Sequence, residues 1–199
     1  VEIVSVDGNG LTVTSKDAII NSVNVGKGVN SVAGNTVLGE NALDASVSGA
    51  NNTAIGGNAL TTLTSGSQNV AVGKDALEAN TTGIRNTAIG AEALTDNTTG
   101  NNNTAIGFSA LELNSTGAQN VAVGSFALEA NTTGSTNVAV GTLALDANTT
   151  GSGNTSLGKS SLSANTTASN NTAVGNDALK LNTTGTQNVA VGSNALDAN

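Results

Sequence analysis

The pentapeptide Asn52-Thr53-Ala54-Ile55-Gly56 decides the fold, because related pentapeptides recur along the chain at a constant distance. The first copy begins at Asn35 and the tenth at Asn188, and every interval between copies is 17 residues. The shared pattern is N-[TV]-A-[IV]-G-x-x-A-L-x-x-N-T-T-G-x-x, whose positions we number 1 to 17. A strict repeat of this length predicts a solenoid, in which each repeat is one coil stacked on its neighbours. Coils 1 to 10 begin at Asn35, Asn52, Asn69, Asn86, Asn103, Asn120, Asn137, Asn154, Asn171 and Asn188.

Apolar residues recur in phase with the repeat, which argues against the disorder that a composition rich in Gly, Asn and Thr would otherwise suggest. Position 4 is Ile, Val or Leu in every coil. Position 9 is Leu in every coil, at residues 43, 60, 77, 94, 111, 128, 145, 162, 179 and 196. The sequence therefore predicts an all-β parallel solenoid, or β-roll, of ten 17-residue coils.

Within one coil, positions 1 to 4 have the alternation of a short strand, with positions 2 and 4 on one face and the small position 3 on the other. We expect Leu at position 9 and one or two β-branched residues to fill the interior. The unvaried Gly at position 5 predicts a sharp bend or a close backbone approach. The Asn-Thr-Thr-Gly sequence predicts a closing turn. Positions 6 to 11 fit either a second strand or a single helical turn.

Stacking turns each position into a column along the solenoid axis. Coils about 4.8 Å apart give a length on the order of 50 Å. The amide of Asn at position 12 is predicted to pair with the copies above and below it. The interior is thin for a lone chain, and the small Ala residues at positions 3 and 8 offer a face that another chain could approach closely. Association between chains is therefore physically attractive.

Residues 1–34 precede the regular repeats and differ from them. The first 14 residues read as two short strands joined by an Asp-Gly-Asn-Gly turn. Residues 21–34 resemble a degenerate coil of 14 residues. We expect residues 1–34 to be a capping or adaptor segment and residues 35–199 to be the solenoid. The tenth coil stops at its twelfth position, Asn199, so we expect the chain to belong to a longer protein.

The composition excludes several classes of function. The chain has no His and no Cys, which removes imidazole acid–base chemistry, thiolates and zinc clusters. Six Lys and Arg stand against fourteen Asp and Glu, for a net charge of −8, which argues against binding a nucleic acid. No apolar run approaches the roughly 20 residues of a membrane span. We expect no enzymatic activity, no cofactor, no metal and no membrane insertion within this segment.

Four features suggest binding sites, and each has a simpler structural interpretation. Acidic residues recur at position 10 and fit a solvated edge better than a calcium site, which requires six to eight oxygens. The Thr pairs at positions 13 and 14 suggest an ice-binding ladder, but adjacent side chains should point in different directions. The Asn-Thr-Thr glycosylation pattern is explained as a by-product of the repeat. Phe108 and Phe126 fit a local packing cluster or a small binding patch. The acidic residues are Asp44, Glu78, Glu112, Glu129, Asp146 and Asp197.

Enzymes that degrade glycans on a β-helix need an acid–base group beside electrophilic groups in a groove. The repeat brings no such pair together, and we predict no catalytic, cofactor or metal residue. The cations are Lys16, Lys27, Lys74, Arg85, Lys159 and Lys180.

The Asn-Thr-Ala-Ile-Gly and Asn-Thr-Thr-Gly elements, with the Ala59-Leu60 pair between them, resemble the repeat stalks of bacteriophage tail fibres. The pentapeptide is also similar to the coils in the heads of trimeric autotransporter adhesins. Those heads are left-handed parallel β-rolls of mostly 14-residue coils, assembled as trimers. The resemblance covers residues 17–199 and implies a parallel homotrimer, although the 17-residue period departs from the adhesin coil.

The resemblance implies the structural shaft of an extracellular fibre, either a phage tail fibre or a bacterial surface adhesin. Such a shaft presents a receptor-binding tip for attachment to a host or a surface. The anchoring and tip domains, and any contact with a cell-surface glycan or receptor, would lie outside this segment. The alternative is a repetitive binding module that contacts glycan, calcium or ice through one solenoid face.

Overall fold

The fold was obtained as a computed structural model, which describes residues 4–7, 10–13, 18–20 and 23–197. The described residues form β-strands and turns and contain no helix. The strands are β1 Val4–Asp7, β2 Gly10–Val13, β3 Ala18–Ile20, β4 Val23–Gly26, β5 Thr36–Gly39, β6 Thr53–Ile55, β7 Val70–Val72, β8 Thr87–Ile89, β9 Thr104–Ile106, β10 Val121–Val123, β11 Val138–Val140, β12 Thr155–Leu157, β13 Thr172–Val174 and β14 Val189–Val191.

Strands β5 to β14 form one parallel sheet in which each strand pairs with the strand 17 residues later. Every position lies beside the same position of the neighbouring coil, as Thr87 beside Thr104 and Ile89 beside Ile106. This register confirms the predicted parallel β-solenoid with a 17-residue coil. The sequence achieves it because no coil carries an insertion that would shift the columns.

The strands before the repeats run differently. Strands β1 and β2 form the predicted antiparallel pair, whose connecting residues Gly8 and Asn9 lie outside the described residues. Strand β4 is antiparallel to both β3 and β5, so residues 23–34, the described part of the predicted 14-residue coil at 21–34, do not join the solenoid in a parallel register. Residues 27–35 reverse the chain with left-handed backbone at Gly28, Ser31 and Gly34. Strand β4 thereby covers the edge of β5 that would otherwise be unpaired.

The interior differs from the sequence prediction, because in coils 2 to 10 it receives the small residue of the strand and not the large ones, whereas coil 1 buries Val37. Position 3 is buried in every coil, as at Ala88 and Ala105, which are 0% exposed. No residue at position 4 is buried, and Ile89 and Ile106 are about two-fifths exposed. Ala at position 8 and Leu at position 9 are also buried in coils 1 to 9, with Ser161 in place of Ala in coil 8. Coils 1 and 2 add the buried residues Val47 and Leu63.

Asn at position 1 explains this orientation. Asn86 is fully buried, and its side-chain amide donates to the Gly100 carbonyl of its own coil at 2.8 Å. Because side chains alternate along a strand, an inward position 1 requires an inward position 3 and outward positions 2 and 4. The prediction that β-branched residues fill the interior, with Ala at positions 3 and 8 facing another chain, was therefore wrong.

Positions 6 to 11, here called the turn segment, consist of successive turns and form neither a strand nor a helix. In coil 3 the residues at positions 7 and 9, Asp75 and Leu77, have left-handed φ angles of 59° and 53°. This conformation is uncommon for leucine. It is compensated by complete burial of the Leu77 side chain and by a 3.1 Å hydrogen bond from its N–H to the Ala93 carbonyl of the next coil.

Glycine at position 5 marks both a bend and a close backbone approach, as predicted. Gly90 has a φ of +137°, and a Cβ atom there would lie 2.3 Å from the Gly107 carbonyl oxygen of the next coil. A larger residue would therefore strain its own backbone and push neighbouring coils apart. The turn segment can follow the strand directly because the chain bends at this residue.

Candidate interaction surfaces

A buried column of Asn at position 1 joins successive coils, and the sequence analysis did not identify it. The Asn86 backbone N–H donates to Asn69 Oδ1 at 2.9 Å, and the Asn103 N–H donates to Asn86 Oδ1 at the same distance. Each side chain thus accepts a bond from the next coil while its amide binds its own coil. The available signal was an unvaried Asn directly before every strand.

A second Asn column occupies position 12 and confirms the predicted pairing of side-chain amides. Asn97 Nδ2 donates to Asn80 Oδ1 at 3.0 Å and to the Gly100 carbonyl at 3.2 Å. The Gly100 carbonyl also accepts from Asn86 Nδ2, so both Asn columns bind the position-15 main chain. Asn80 and Asn97 belong to Asn-Thr-Thr sequences and are 0% exposed. The folded solenoid therefore leaves no room for a glycan on these side chains.

Coil 8 carries a different interior, with Ser156 at position 3 and Ser161 at position 8 in place of two Ala residues. Both serines are fully buried, and their hydroxyl oxygens lie 2.5 Å apart. The Ser161 hydroxyl also lies 2.9 Å from the Gly158 carbonyl, to which it donates. Positions 3 and 8 are thus in contact across the coil, and the polar pair is satisfied internally. The interior is structural, which leaves the outer surface for interaction.

The outward residues at positions 2 and 4, here called the strand face, form an apolar stripe along the solenoid. Position 4 supplies Ile, Val or Leu from every coil, with exposures from 38% at Ile106 to 47% at Leu157 among the more exposed residues of coils 1 to 9. Position 2 adds Thr or Val beside it. A continuous apolar surface of this extent typically marks a protein interface.

The threonines of the closing turn have two separate roles, as the sequence analysis expected for adjacent side chains. The position-13 Thr81 hydroxyl donates to the Thr98 carbonyl of the next coil at 3.1 Å, and Thr98 repeats this contact with Ser115 at 2.9 Å. The position-14 residues Thr82 and Thr99 are exposed. The outward threonines thus form a single column.

Polar contacts connect the turn segments of the first coils. Asn41 Nδ2 donates to Asn58 Oδ1 at 3.1 Å, and Asn58 Nδ2 donates to Asp75 Oδ1 at 2.8 Å. Lys74 forms an ion pair with Asp75 at 2.5 Å. The Lys74 hydrogen bond, assisted by that of Asn58, lowers the pKa of Asp75 against a smaller opposing effect of burial. The residue at position 7 varies between coils, and in coils 1 to 3 its side chain adds surface contacts from one coil to the next.

The acidic residues at position 10 of coils 5 to 7 form a column without a counter-charge. Hydrogen bonds of 3.0 Å from the Leu113 N–H to the Glu129 carbonyl, and of 2.9 Å from the Ala130 N–H to the Asp146 carbonyl, stack the three turn segments. Burial raises the pKa of Glu129, and the charges of Glu112 and Asp146 raise it further. Burial also raises the pKa of Asp146, against smaller opposing effects of hydrogen bonds from the main-chain N–H groups of Asp146 and Ala147. The buried Oδ1 atom of Asp146 has no hydrogen-bond partner among the described residues.

No group of three or more Asp, Glu, His or Cys suited to a metal ion occurs within the described ranges. The described residues also include no helix long and apolar enough to cross a membrane.

The two phenylalanines lie on the turn segments of adjacent coils and contact each other edge to face. Their ring centroids are 5.2 Å apart and their planes are inclined by 86°. The Phe126 N–H donates to the Phe108 carbonyl at 2.9 Å, which places the rings side by side on the surface. Phe108 remains 45% exposed. The pair is therefore a local cluster with an accessible ring.

No protein-family model matches the chain, and neither a curated protein nor a solved structure shows significant similarity to it.

Proposed function

We propose that this chain is the shaft of an extended extracellular fibre, of the phage tail fibre or bacterial surface adhesin kind. In this proposal, three copies associate in parallel through the strand face. The observation that carries the proposal is the apolar stripe at position 4, which runs along a solenoid whose interior is already filled without it. Large apolar side chains on the outside of every coil are accounted for if a second copy covers them.

Repetition makes the association additive. Complete burial of an exposed Val, Leu or Ile contributes about 1.5–3 kcal/mol, so a side chain that is already half-buried contributes roughly 1 kcal/mol per coil. Each coil adds a similar contribution because the same position recurs at every level. Parallel alignment at equal height brings equivalent columns together along the whole length. The number of chains, three, comes from the resemblance to fibre repeats.

The proposed role of the shaft is mechanical. Main-chain hydrogen bonds and the Asn column at position 1 connect successive coils, and the Asn column at position 12 adds side-chain bonds from coil 3 to coil 9. A load along the axis is therefore shared by several bonds at each of these levels. The shaft holds a distal tip away from its anchor, and both lie outside this segment. Recognition of a receptor or surface glycan belongs to the tip.

Sedimentation equilibrium tests the association directly. The expected mass is three times the 19.2 kDa of one chain. The double variant Ile89→Gln and Ile106→Gln should weaken the complex, because it places amides on the strand face. The matched control, Thr99→Gln with Thr116→Gln, alters the same coils at exposed position 14 and should sediment as the wild type does. A wild-type chain that remains monomeric at high concentration would contradict the proposal.

A further inference from the structure

Coils 4 to 7 form the longest stretch of the solenoid without a Lys or Arg. Between Arg85 and Lys159 the chain contains five acidic residues and no Lys or Arg. The acidic residues are Glu92, Asp96, Glu112, Glu129 and Asp146. In coils 3 and 9, by contrast, one turn-segment carboxylate pairs with a neighbouring cation, as Asp75 does with Lys74 and Asp177 does with Lys180. The middle of the solenoid therefore presents uncompensated negative charge.

The two phenylalanines of the chain occur in the same region. Phe108 lies at position 6 of coil 5 and Phe126 at position 7 of coil 6, and Leu143 occupies position 7 of coil 7. The edge-to-face contact involves only part of each ring, and Phe108 is nearly half exposed. An aromatic face carries partial negative charge, which attracts a cation placed over it.

The aromatic pair and the acidic column lie on the same turn segments. Phe126 and Glu129 are three residues apart, so their Cα atoms lie within about 10 Å. The stacked turn segments place Glu112 and Asp146 in the coils on either side of Glu129.

We propose that the turn segments of coils 5 to 7 bind an arginine side chain of a partner polypeptide. The guanidinium group lies over the exposed Phe108 ring and pairs with the carboxylate column. Arginine fits better than lysine, because its planar group both stacks on an aromatic ring and forms two parallel hydrogen bonds with a carboxylate. The charge of the region selects a cationic partner over a neutral one. This inference does not depend on the fibre assignment, because the strand face is not part of the patch.

Fluorescence anisotropy with labelled tetra-arginine, tetra-lysine and tetraglycine peptides tests the proposal on the whole chain at low salt. Tetra-arginine should bind about threefold or more tightly than tetra-lysine, and tetraglycine should not bind. Phe108→Leu keeps an apolar side chain but removes the ring, and should reduce the affinity for tetra-arginine about threefold. Glu129→Gln should reduce it by a similar factor.

Glu40→Gln is the matched control, because it removes an exposed acidic charge from coil 1, about 19 Å away along the axis. It should leave the affinity unchanged. An equal loss with Glu40→Gln, or equal affinity for both cationic peptides, would show diffuse electrostatic attraction and overturn the proposal. Calcium that displaces tetra-arginine stoichiometrically would identify a metal site and overturn it as well.

Sedimentation of Phe108→Leu separates this inference from the fibre proposal. An unchanged mass is expected, because the ring lies outside the strand face. A loss of association would instead assign the patch to contacts between copies of this chain and overturn the arginine site. Circular dichroism of each variant confirms that the solenoid is intact before binding is compared.

Discussion

The strand of a coil buries its small side chain and exposes its large ones, whereas the turn segment buries a large side chain. On the strand, Ala105 points inward and Ile106 points outward, whereas the turn segment buries Leu111 completely. The hydroxyl contact between Ser156 and Ser161 explains the difference, because it shows that positions 3 and 8 touch across the coil. Two small residues are needed where the walls meet, and Leu fills the wider space beside them. Size is therefore distributed by the width of the coil and not by hydrophobicity alone.

The largest expected effect comes from removing the large residue of the turn segment. Leu111→Ala should lower the free energy of unfolding by about 3 kcal/mol, because it leaves a cavity between two coils that cannot collapse. Ile106→Ala in the same coil should affect mainly the association of chains. Urea unfolding and sedimentation, measured on both variants, check the contrast. Equal losses of unfolding free energy in the two variants would mean that Ile106 packs within the coil as Leu111 does, and would contradict its place on an exposed strand face.

The buried Asn columns should give the next largest effect. Asn97→Ala removes a donor to Asn80 Oδ1 and to the Gly100 carbonyl, and should destabilise the protein by about 2 kcal/mol. Thr99→Ala, two residues later at the surface, should change the stability by less than about 0.5 kcal/mol. Thermal unfolding compares the pair. A similar loss for both variants would contradict a special role for the column.

The serine pair of coil 8 tests the contact between position 3 of the strand and position 8 of the turn segment. Ser156→Ala or Ser161→Ala removes the hydrogen bond between the two buried hydroxyls and should cost about 1 kcal/mol, although the remaining hydroxyl keeps its main-chain acceptor. The double variant restores the Ala pair of the other coils and should cost less than the two single changes together. A double-mutant cycle from urea unfolding gives the coupling energy. If the losses of unfolding free energy in the two single variants added up to the loss in the double variant, positions 3 and 8 would not interact.

The smallest effect concerns Glu129 on the turn segment. Its pKa is raised in the folded state, so the folded protein holds the proton more tightly and this contribution to stability is lost as the pH rises through the folded pKa. Glu129→Gln should therefore stabilise the protein at pH 7 by a few tenths of a kcal/mol, since the group is largely solvated. The difference should vanish below the usual glutamate pKa. Unfolding curves at pH 3 and pH 7 measure it.

Asp75, on the turn segment of coil 3, has a pKa shift opposite in sign to that of Glu129. The Lys74 hydrogen bond lowers its pKa, so its contribution is present at neutral pH and lost as the pH falls through the lowered value. Asp75→Asn should weaken the protein at pH 7 and have no effect at strongly acidic pH. A pH dependence of the same sign for both variants would contradict the assigned causes.

The sequence was sufficient for the parallel solenoid, its period and the pairing at Asn97, because stacking follows directly from an uninterrupted repeat. It was insufficient for the orientation of the strand, because alternation defines two faces without saying which lies inside. The buried amide of Asn86 decides that question through a bond to a carbonyl 14 residues away in the same coil. The antiparallel β4 was missed because Asn-Val-Gly within it imitates the repeat pentapeptide.

The face that another chain could approach was likewise predicted at the wrong positions, because the small Ala residues at positions 3 and 8 are buried within the coil. The pairing of Phe108 with Phe126 required the coil geometry, since the residues differ by 18 positions rather than by a full repeat. The Asp146 oxygen without a donor also has no sequence signal, because it depends on local side-chain packing.

Because successive coils share the same register, mutations in the gene can change the length of the solenoid in steps of one whole coil. Deletion of the 17 codons for residues 104–120 would place Thr87 beside Val121, which now pairs with Thr104, and every column would remain continuous. The molecule would become shorter by about 4.8 Å. Duplication would lengthen it by the same amount without altering the cross-section. Unequal recombination between repeats could therefore adjust the reach of the molecule while its stability per coil stayed constant.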